Sequence, residues 1–138
     1  MKSVLSLLAV FSLVCSSAQA LDIAALERAM ANPDRPAADK ERDASRQAPA
    51  VLDFLGLEAG MTVLDVNASG GWYTEVLSYA VGPNGKVLMQ NRPGGNSAEA
   101  ATARANRLGN VEEWLTPISD APANSVDFAI TALNFHDF

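Results

Sequence analysis

The sequence predicts an α/β fold built on a parallel sheet, and three observations predict it. Apolar, β-branched runs at 61–66, 86–90, 111–115 and 126–133 alternate with stretches of helical periodicity. The links between them are short, as in sheets built from right-handed strand–helix–strand crossovers. A loop of small residues, Asn67-Ala68-Ser69-Gly70-Gly71, directly follows the first of these strands. That is where open α/β sheets carry their ligands.

The N-terminus comes first. Lys2, an apolar run over 4–14 and Ala18-Gln19-Ala20 have the basic, apolar and small-x-small order of a secretory signal peptide, with cleavage expected after Ala20. The run falls short of the ~20 apolar residues that span a bilayer. Val14 is bulky where a lipid-anchored Cys15 would follow a small residue. The expectation is therefore a periplasmic or secreted protein with no stable membrane anchor after cleavage. Cleavage leaves 118 of 138 residues, and the loss of Lys2 takes the net charge from −6 to −7. It also removes Cys15, the one cysteine. Disulfides, thiol nucleophiles and Cys-ligated zinc are then excluded. With His136 the single histidine, no metal site is expected. Sixteen acidic against ten basic residues give no electrostatic footprint for nucleic acid.

Residues 21–31 carry a weak amphipathic helix with Leu21, Ala24, Ala25 and Met30 near one face. Asn32-Pro33-Asp34-Arg35-Pro36 breaks it. The charged segment 37–48 reads as a solvated helix or linker. Pro49 suits the first turn of a short helix, and Gly56 suits its left-handed end. Residues 21–56 thus form a helical lead to the α/β unit of 57–138.

Gly60 turns the chain into strand 61–66, and after the small-residue loop Tyr73, Val76, Leu77 and Ala80 repeat at helical spacing. Gly82-Pro83-Asn84-Gly85 turns into strand 86–90. After the loop 92–96, Ser97 is the expected N-cap of an Ala-rich helix over 98–108, closed by Gly109. Strand 111–115, a loop over 116–125 and strand 126–133 complete the series.

Small residues let backbone N–H groups approach a ligand, and the helix that follows presents its positive end. Asp65 can accept from a cationic amine or orient the loop. The same loop serves equally as a tight strand–helix turn with no ligand. A phosphate-binding loop would need Gly-Lys-Ser or Gly-Lys-Thr, and a dinucleotide site G-x-G-x-x-G with an acid about 20 residues on. Neither motif is present, and Asn91 stands at the acid's place. A nicotinamide enzyme is disfavoured.

The run 63–75 (VLDVNASGGWYTE) resembles the first motif of class I S-adenosylmethionine-dependent methyltransferases. It is most similar to the exported predicted methyltransferases of bacteria. Arg42-Asp43, Arg46 and Pro49, Ala59-Gly60-Met61, Asn91-Arg92-Pro93, Asp120-Ala121-Pro122, Ser125-Val126-Asp127 and Leu133-Asn134-Phe135-His136-Asp137 continue the resemblance in order, over about 35–138. It implies the N-terminal half of a Rossmann-like class I methyltransferase fold, incomplete because four strands are counted where the full sheet has seven. It implies S-adenosylmethionine as cofactor, with Asp65, Asn67, Ala68, Ser69, Gly70 and Gly71 at its amino-acid part. Asn91 would stand at the ribose, Asp120 would accept from the adenine amino group, and Ala121 would lie beside the ring. The family's D-x-G-x-G-x-G has Asn67 and Ser69 at its first two glycine positions here.

Methyl transfer needs a base only if the nucleophile has a proton to lose. His136 and Asp137 follow the fourth strand and are the candidate catalytic residues, against a structural histidine. Trp72 and Tyr73 suit a pocket lining and helix packing equally. The expected activity is methyl transfer to a small-molecule or other acceptor that the sequence does not name. The alternative is a non-catalytic periplasmic module that binds an adenosine ligand or a protein. The front half of a sheet should also fold poorly alone, because strand 126–133 would lack a neighbour.

Overall fold

A computed structural model describes residues 19–133. The expected signal segment up to residue 18, His136 and Asp137 lie outside the described residues. Gln19–Ala20 (β1) pairs antiparallel with Glu58–Ala59 (β2), so cleavage after Ala20 would remove this two-residue strand. Three helices follow β1: α1 (Ile23–Met30), α2 (Ala37–Arg46) and α3 (Ala48–Phe54). After β2 come β3 (Thr62–Asp65), α4 (Trp72–Val81), β4 (Lys86–Gln90), α5 (Ala98–Arg107), β5 (Val111–Trp114), a 3-10 turn at Ile118–Asp120 and β6 (Phe128–Ile130).

The main sheet is wholly parallel among the described residues, in the order β5-β4-β3-β6. The chain steps outward from β3 through β4 to β5, then returns to the far side of β3. The strand order therefore reverses at β3, and the loop that leaves it lies at the switch point. Val63, Leu64, Val87, Leu88 and Met89 are all buried, as strands covered on both faces require.

Helix α4 is buried nearly all round, because it packs on β3 and β4 and also carries α1. Its polar residues can be buried because each is paired. Thr74 Oγ1 donates to Asp65 at 2.6 Å, Ser78 Oγ donates to Asn110 at 2.5 Å, and Glu75 accepts from arginines. Leu26, Met30, Ala48 and Leu52 from the helical lead share one core with Val63, Val76 and Val87. Lead and sheet are therefore cemented by the same apolar contacts.

Several local expectations change. The buried face of α1 is Leu26 and Met30, with Ala24 exposed. Its N-cap is Asp22, which accepts from Ala25 N at 2.8 Å. Ser97 stands at the N-cap of α5 as expected, but its side chain makes no capping bond; its hydroxyl lies 3.1 Å from that of Ser69. Helix α5 is left through Leu108 in extended conformation, and Gly109 is not left-handed. The strand expected over 126–133 is only Phe128–Ile130, because its pairing with β3 stops where β3 stops. Gly56 does close α3 at φ +76°, with Leu57 N donating to Leu52 O at 3.0 Å.

Helix α2 is largely exposed, as its charges suggested, with Asp39 its one buried residue. Asp39 is 3% exposed and Arg35, just before the helix, 2%. Arg35 grips Asp43 with two N–H groups at 2.6 and 3.0 Å and donates to Met30 O at 2.7 Å. Asp39 accepts from Arg42 and Arg104, each at 2.7 Å. These two charges are buried because partners from other elements meet them, a pairing that the local charge pattern does not encode.

Candidate functional site

The loop after β3 is held at nearly every residue. Asn67 N donates to Gln90 Oε1 at 2.8 Å and Ala68 N to Gln90 O at 2.8 Å. Ser69 N donates to Asn91 Oδ1 at 2.7 Å, and Asn91 Nδ2 donates back to Ser69 O at 3.0 Å. Gly71 N closes on Ala68 O at 2.9 Å. Arg104 Nε donates to Gly70 O at 2.7 Å. The loop is thus pinned by the end of β4 on one side and by α5 on the other.

Its backbone is left-handed at alternate residues: Asn67 at φ 53°, Ser69 at 54° and Gly71 at 80°. These are the three positions at which the resembling motif carries glycine. Asparagine tolerates this region by local hydrogen bonding, whereas serine bears a steric cost of about 1–2 kcal/mol. Ser69→Gly should therefore raise stability by about 0.5–1 kcal/mol, net of glycine's extra freedom in the unfolded chain. Ser69→Ala, which keeps the Cβ, should not. Urea denaturation of both variants checks this; a loss on Ser69→Gly would mean that the hydroxyl contact with Ser97 outweighs the strain.

Gly71 is also sterically required. A Cβ there would lie 2.5 Å from Met89 Cε and 2.9 Å from Arg104 Cδ. At Gly70 a Cβ would meet nothing within 4 Å. Gly70 faces an open cleft of about 310 Å³, shared with Asp65, Ala68, Ser69, Gly71 and Trp72. The Gly70 N–H has no acceptor among the described residues, so the loop offers the cleft a free donor beside the N-terminus of α4. A backbone bare of side chains, with a free amide and a helix's positive end, fits a ligand carrying polar or anionic groups.

Asp65 lies at the floor of this cleft. Burial pushes its carboxyl up to about 7, against the lowering effect of the hydrogen bonds from Thr74. Trp72 is buried and donates Nε1 to Asp39 O at 2.9 Å, and its ring meets that of Tyr73 edge-on at 4.8 Å. Both rings line the cleft, so each packs and lines at once. Ala132 and Leu133 complete the lining of the cleft.

Beyond Ser69 the surface continues into two more hollows. One, of about 380 Å³, is bounded by Asn67, Ser69, Asn91 and Ser97. The other, of about 310 Å³, is bounded by Gln90, Asn91, Pro93, Pro117 and Ile118. The structure thus brings together Asp65, Asn67, Ala68, Ser69, Gly70, Gly71 and Asn91 along the ends of β3 and β4. Asp120 and Ala121 line none of these hollows; Asp120 is exposed, and its carboxylate accepts from Ser119 Oγ at 3.1 Å. A larger hollow of about 590 Å³ lies among the lead helices, away from the loop.

Sequence reasoning counted Arg42 and Arg46 in the resemblance but gave no site role to them or to Arg104, the arginines that frame the cleft. Arg42, Arg46 and Arg104 all border it. Glu75, fully buried, accepts from Arg104, from Arg107 at 2.6 Å and from Tyr79 Oη at 2.7 Å. That hydrogen bond and charge from Glu75 outweigh burial and hold the Arg107 pKa above its ordinary value. The signal in the sequence was Glu75 itself, an acid amid an otherwise buried helical run. Among the described residues no cluster of histidine, cysteine and acids could hold a metal ion, and no helix is long and apolar enough to cross a membrane.

No family model and no curated protein matches the chain. Among solved structures it is similar to a SAM-dependent methyltransferase from Aquifex aeolicus, with 31% identity and a TM-score of 0.63. That match covers 84% of this chain and 59% of the other. It is also similar to a protein-L-isoaspartate O-methyltransferase, with 23% identity and a TM-score of 0.51 over 63% of this chain and 28% of the other. The chain thus spans about three fifths of the first of these relatives and under a third of the second. A parallel sheet flanked by helices, reversing its order at the strand that feeds a left-handed glycine-type loop, is the α/β fold of the class I methyltransferases, and this chain has it.

Proposed function

We propose that this chain binds S-adenosylmethionine across the ends of β3 and β4 and serves S-adenosylmethionine-dependent methyl transfer. The observation that carries this reading is the left-handed alternation at Asn67, Ser69 and Gly71 at the switch point of the sheet. Two of the three residues keep that backbone without being glycine, and the geometry is kept at a cost that a plain turn would not need. The similarity to methyltransferase structures supports the same reading.

Bound there, the cofactor would supply an electrophilic methyl group on a sulfonium. The chain's own residues bind and orient it. The Gly70 N–H and the start of α4 favour negative charge, and the Asp65 carboxylate accepts from an amine. The hollow walled by Pro93, Pro117 and Ile118 suits a flat, largely apolar ring. Asn91 gives its oxygen and one N–H to Ser69, so its first role is to fix the loop's shape. The methyl acceptor would enter from the Ala132–Leu133 side of the cleft, and His136 and Asp137, outside the described residues, are kept as candidate bases on the sequence alone. Export after cleavage at Ala20 is part of the proposal and rests on Lys2, the run 4–14 and Ala18-Gln19-Ala20. The cofactor is made in the cytoplasm, so export favours a second reading, a periplasmic module that binds an adenosine ligand without chemistry.

Calorimetric titration of the protein with S-adenosylhomocysteine tests the first step. Saturable one-site binding is expected, and absence of binding sinks the methyltransferase reading. Binding with no methyl transfer to a panel of small-molecule acceptors favours the binding module.

A further inference from the structure

Of the arginines around the cleft and its charge cluster, Arg35, Arg42, Arg104 and Arg107 each hold a carboxylate. Arg35 holds Asp43 and Met30 O; Arg42 holds Asp39 and Ala38 O; Arg104 holds Gly70 O, Glu75 and Asp39; Arg107 holds Glu75. Arg46 differs. Its guanidinium sits over the Trp72 ring at 4.5 Å and lies 5.9 Å from the centre of Tyr73. None of its N–H groups has an acceptor among the described residues.

The cation–π contact holds the guanidinium in place without using its in-plane donors. Arg46 borders the same cleft as Asp65 and the loop. Arg42 stands one helical turn away, a like charge at i,i+4 that disfavours the pair on α2. Asp39 and Asp43 also act on Arg46 by charge, but neither forms an ion pair with it among the described residues, so a held, half-buried guanidinium keeps its in-plane donors for an anion. Asp39, Arg42 and Arg104 also line this cleft but are paired with one another, which leaves Asp65 on the floor and Arg46 on the wall as its acid and cation outside any ion pair among the described residues. That is the complement of an α-amino acid, whose ammonium and carboxylate need opposite partners.

We propose that Arg46 is the seat for the carboxylate of the ligand's amino-acid end, and that Trp72 is the platform that holds the seat in place. The inference rests on the S-adenosylmethionine reading and deepens it: selectivity for an aminoacyl nucleoside over a plain nucleoside would come from α2 of the helical lead. The lead would thus be part of the binding site as well as of the core.

The test uses the full chain as wild type, Arg46→Gln and Arg46→Lys. Each is titrated with S-adenosylhomocysteine and with 5′-deoxy-5′-methylthioadenosine, which lacks the aminoacyl end. Wild type should prefer S-adenosylhomocysteine. Arg46→Gln should weaken that ligand about 10- to 100-fold, the range for a lost charge-assisted hydrogen bond. It should change methylthioadenosine less than about twofold. Arg46→Lys, which keeps the charge but not the planar fork, should fall between and covers the case in which the glutamine variant folds poorly. If wild type binds S-adenosylhomocysteine and both variants bind it equally well, or both lose the two ligands in parallel, the seat is overturned and the cofactor reading stands. If wild type does not bind S-adenosylhomocysteine, both fall.

Discussion

Glu75→Ala is expected to destabilise the protein by about 3–5 kcal/mol, the usual cost of removing one partner from a buried charge cluster. Small domains have only about 5–15 kcal/mol to lose, so the variant should melt far below wild type or fail to fold. Glu75 is fully buried and accepts from Arg104, Arg107 and Tyr79, with Arg35 Nε 3.9 Å away and lacking any hydrogen-bond partner. Removing the carboxylate strands these cations and leaves a cavity. Arg104 also holds Gly70 O, so the damage should reach the loop. Glu75→Gln keeps the shape and an acceptor, and should cost roughly half as much if lost charge and lost geometry contribute comparably. Chemical denaturation of both variants is the measurement. A loss below about 1 kcal/mol for Glu75→Ala would mean that the cluster is hydrated and behaves like surface ion pairs.

Asp65→Asn should make the protein more stable than wild type at high pH, and the advantage should vanish in acid. Burial raises the folded carboxyl to about 7 from an ordinary value of 3.8. The folded state therefore holds a proton between about pH 4 and pH 7 that the unfolded chain releases. The protein loses stability from this group as pH rises through that window, by up to about 4 kcal/mol. Asparagine keeps an oxygen for Thr74 Oγ1 and does not ionise. The stability difference between variant and wild type should grow from about pH 4.5 to pH 8 and then level off. A pH-independent difference would show that Asp65 ionises normally. On the proposed function the same substitution weakens S-adenosylhomocysteine, because a neutral amide is a poorer partner for an ammonium. Wild-type binding should strengthen as pH rises through about 7.

The two outcomes separate two uses of one residue. On the proposed function, an acid that costs stability when ionised sits at the floor of the cleft because the ligand's ammonium needs it ionised. The charge cluster around Glu75 is different. It costs nothing visible in the described geometry except at Arg35 Nε, and its reach from α2 to α5 fixes the walls of the cleft.

The sequence by itself determined the succession of elements, the parallel α/β class and the place of the loop after β3. Those features live in local patterns: β-branched runs, spacing of three and four, and glycines or prolines at boundaries. Where that local code was thin it misled, as with Gly109 and the length of β6. Only the tertiary structure decided that Asn67 and Ser69 take the left-handed backbone, that Asn91 clamps Ser69, and that α2 lends Asp39, Arg42 and Arg46 to the wall of the cleft. Arg35 meets Glu75 and Asp39 meets Arg104 across 40 and 65 residues of chain. Such pairs leave no periodic trace in either segment, since a buried and a solvated charge are spelled alike until the fold brings the partner.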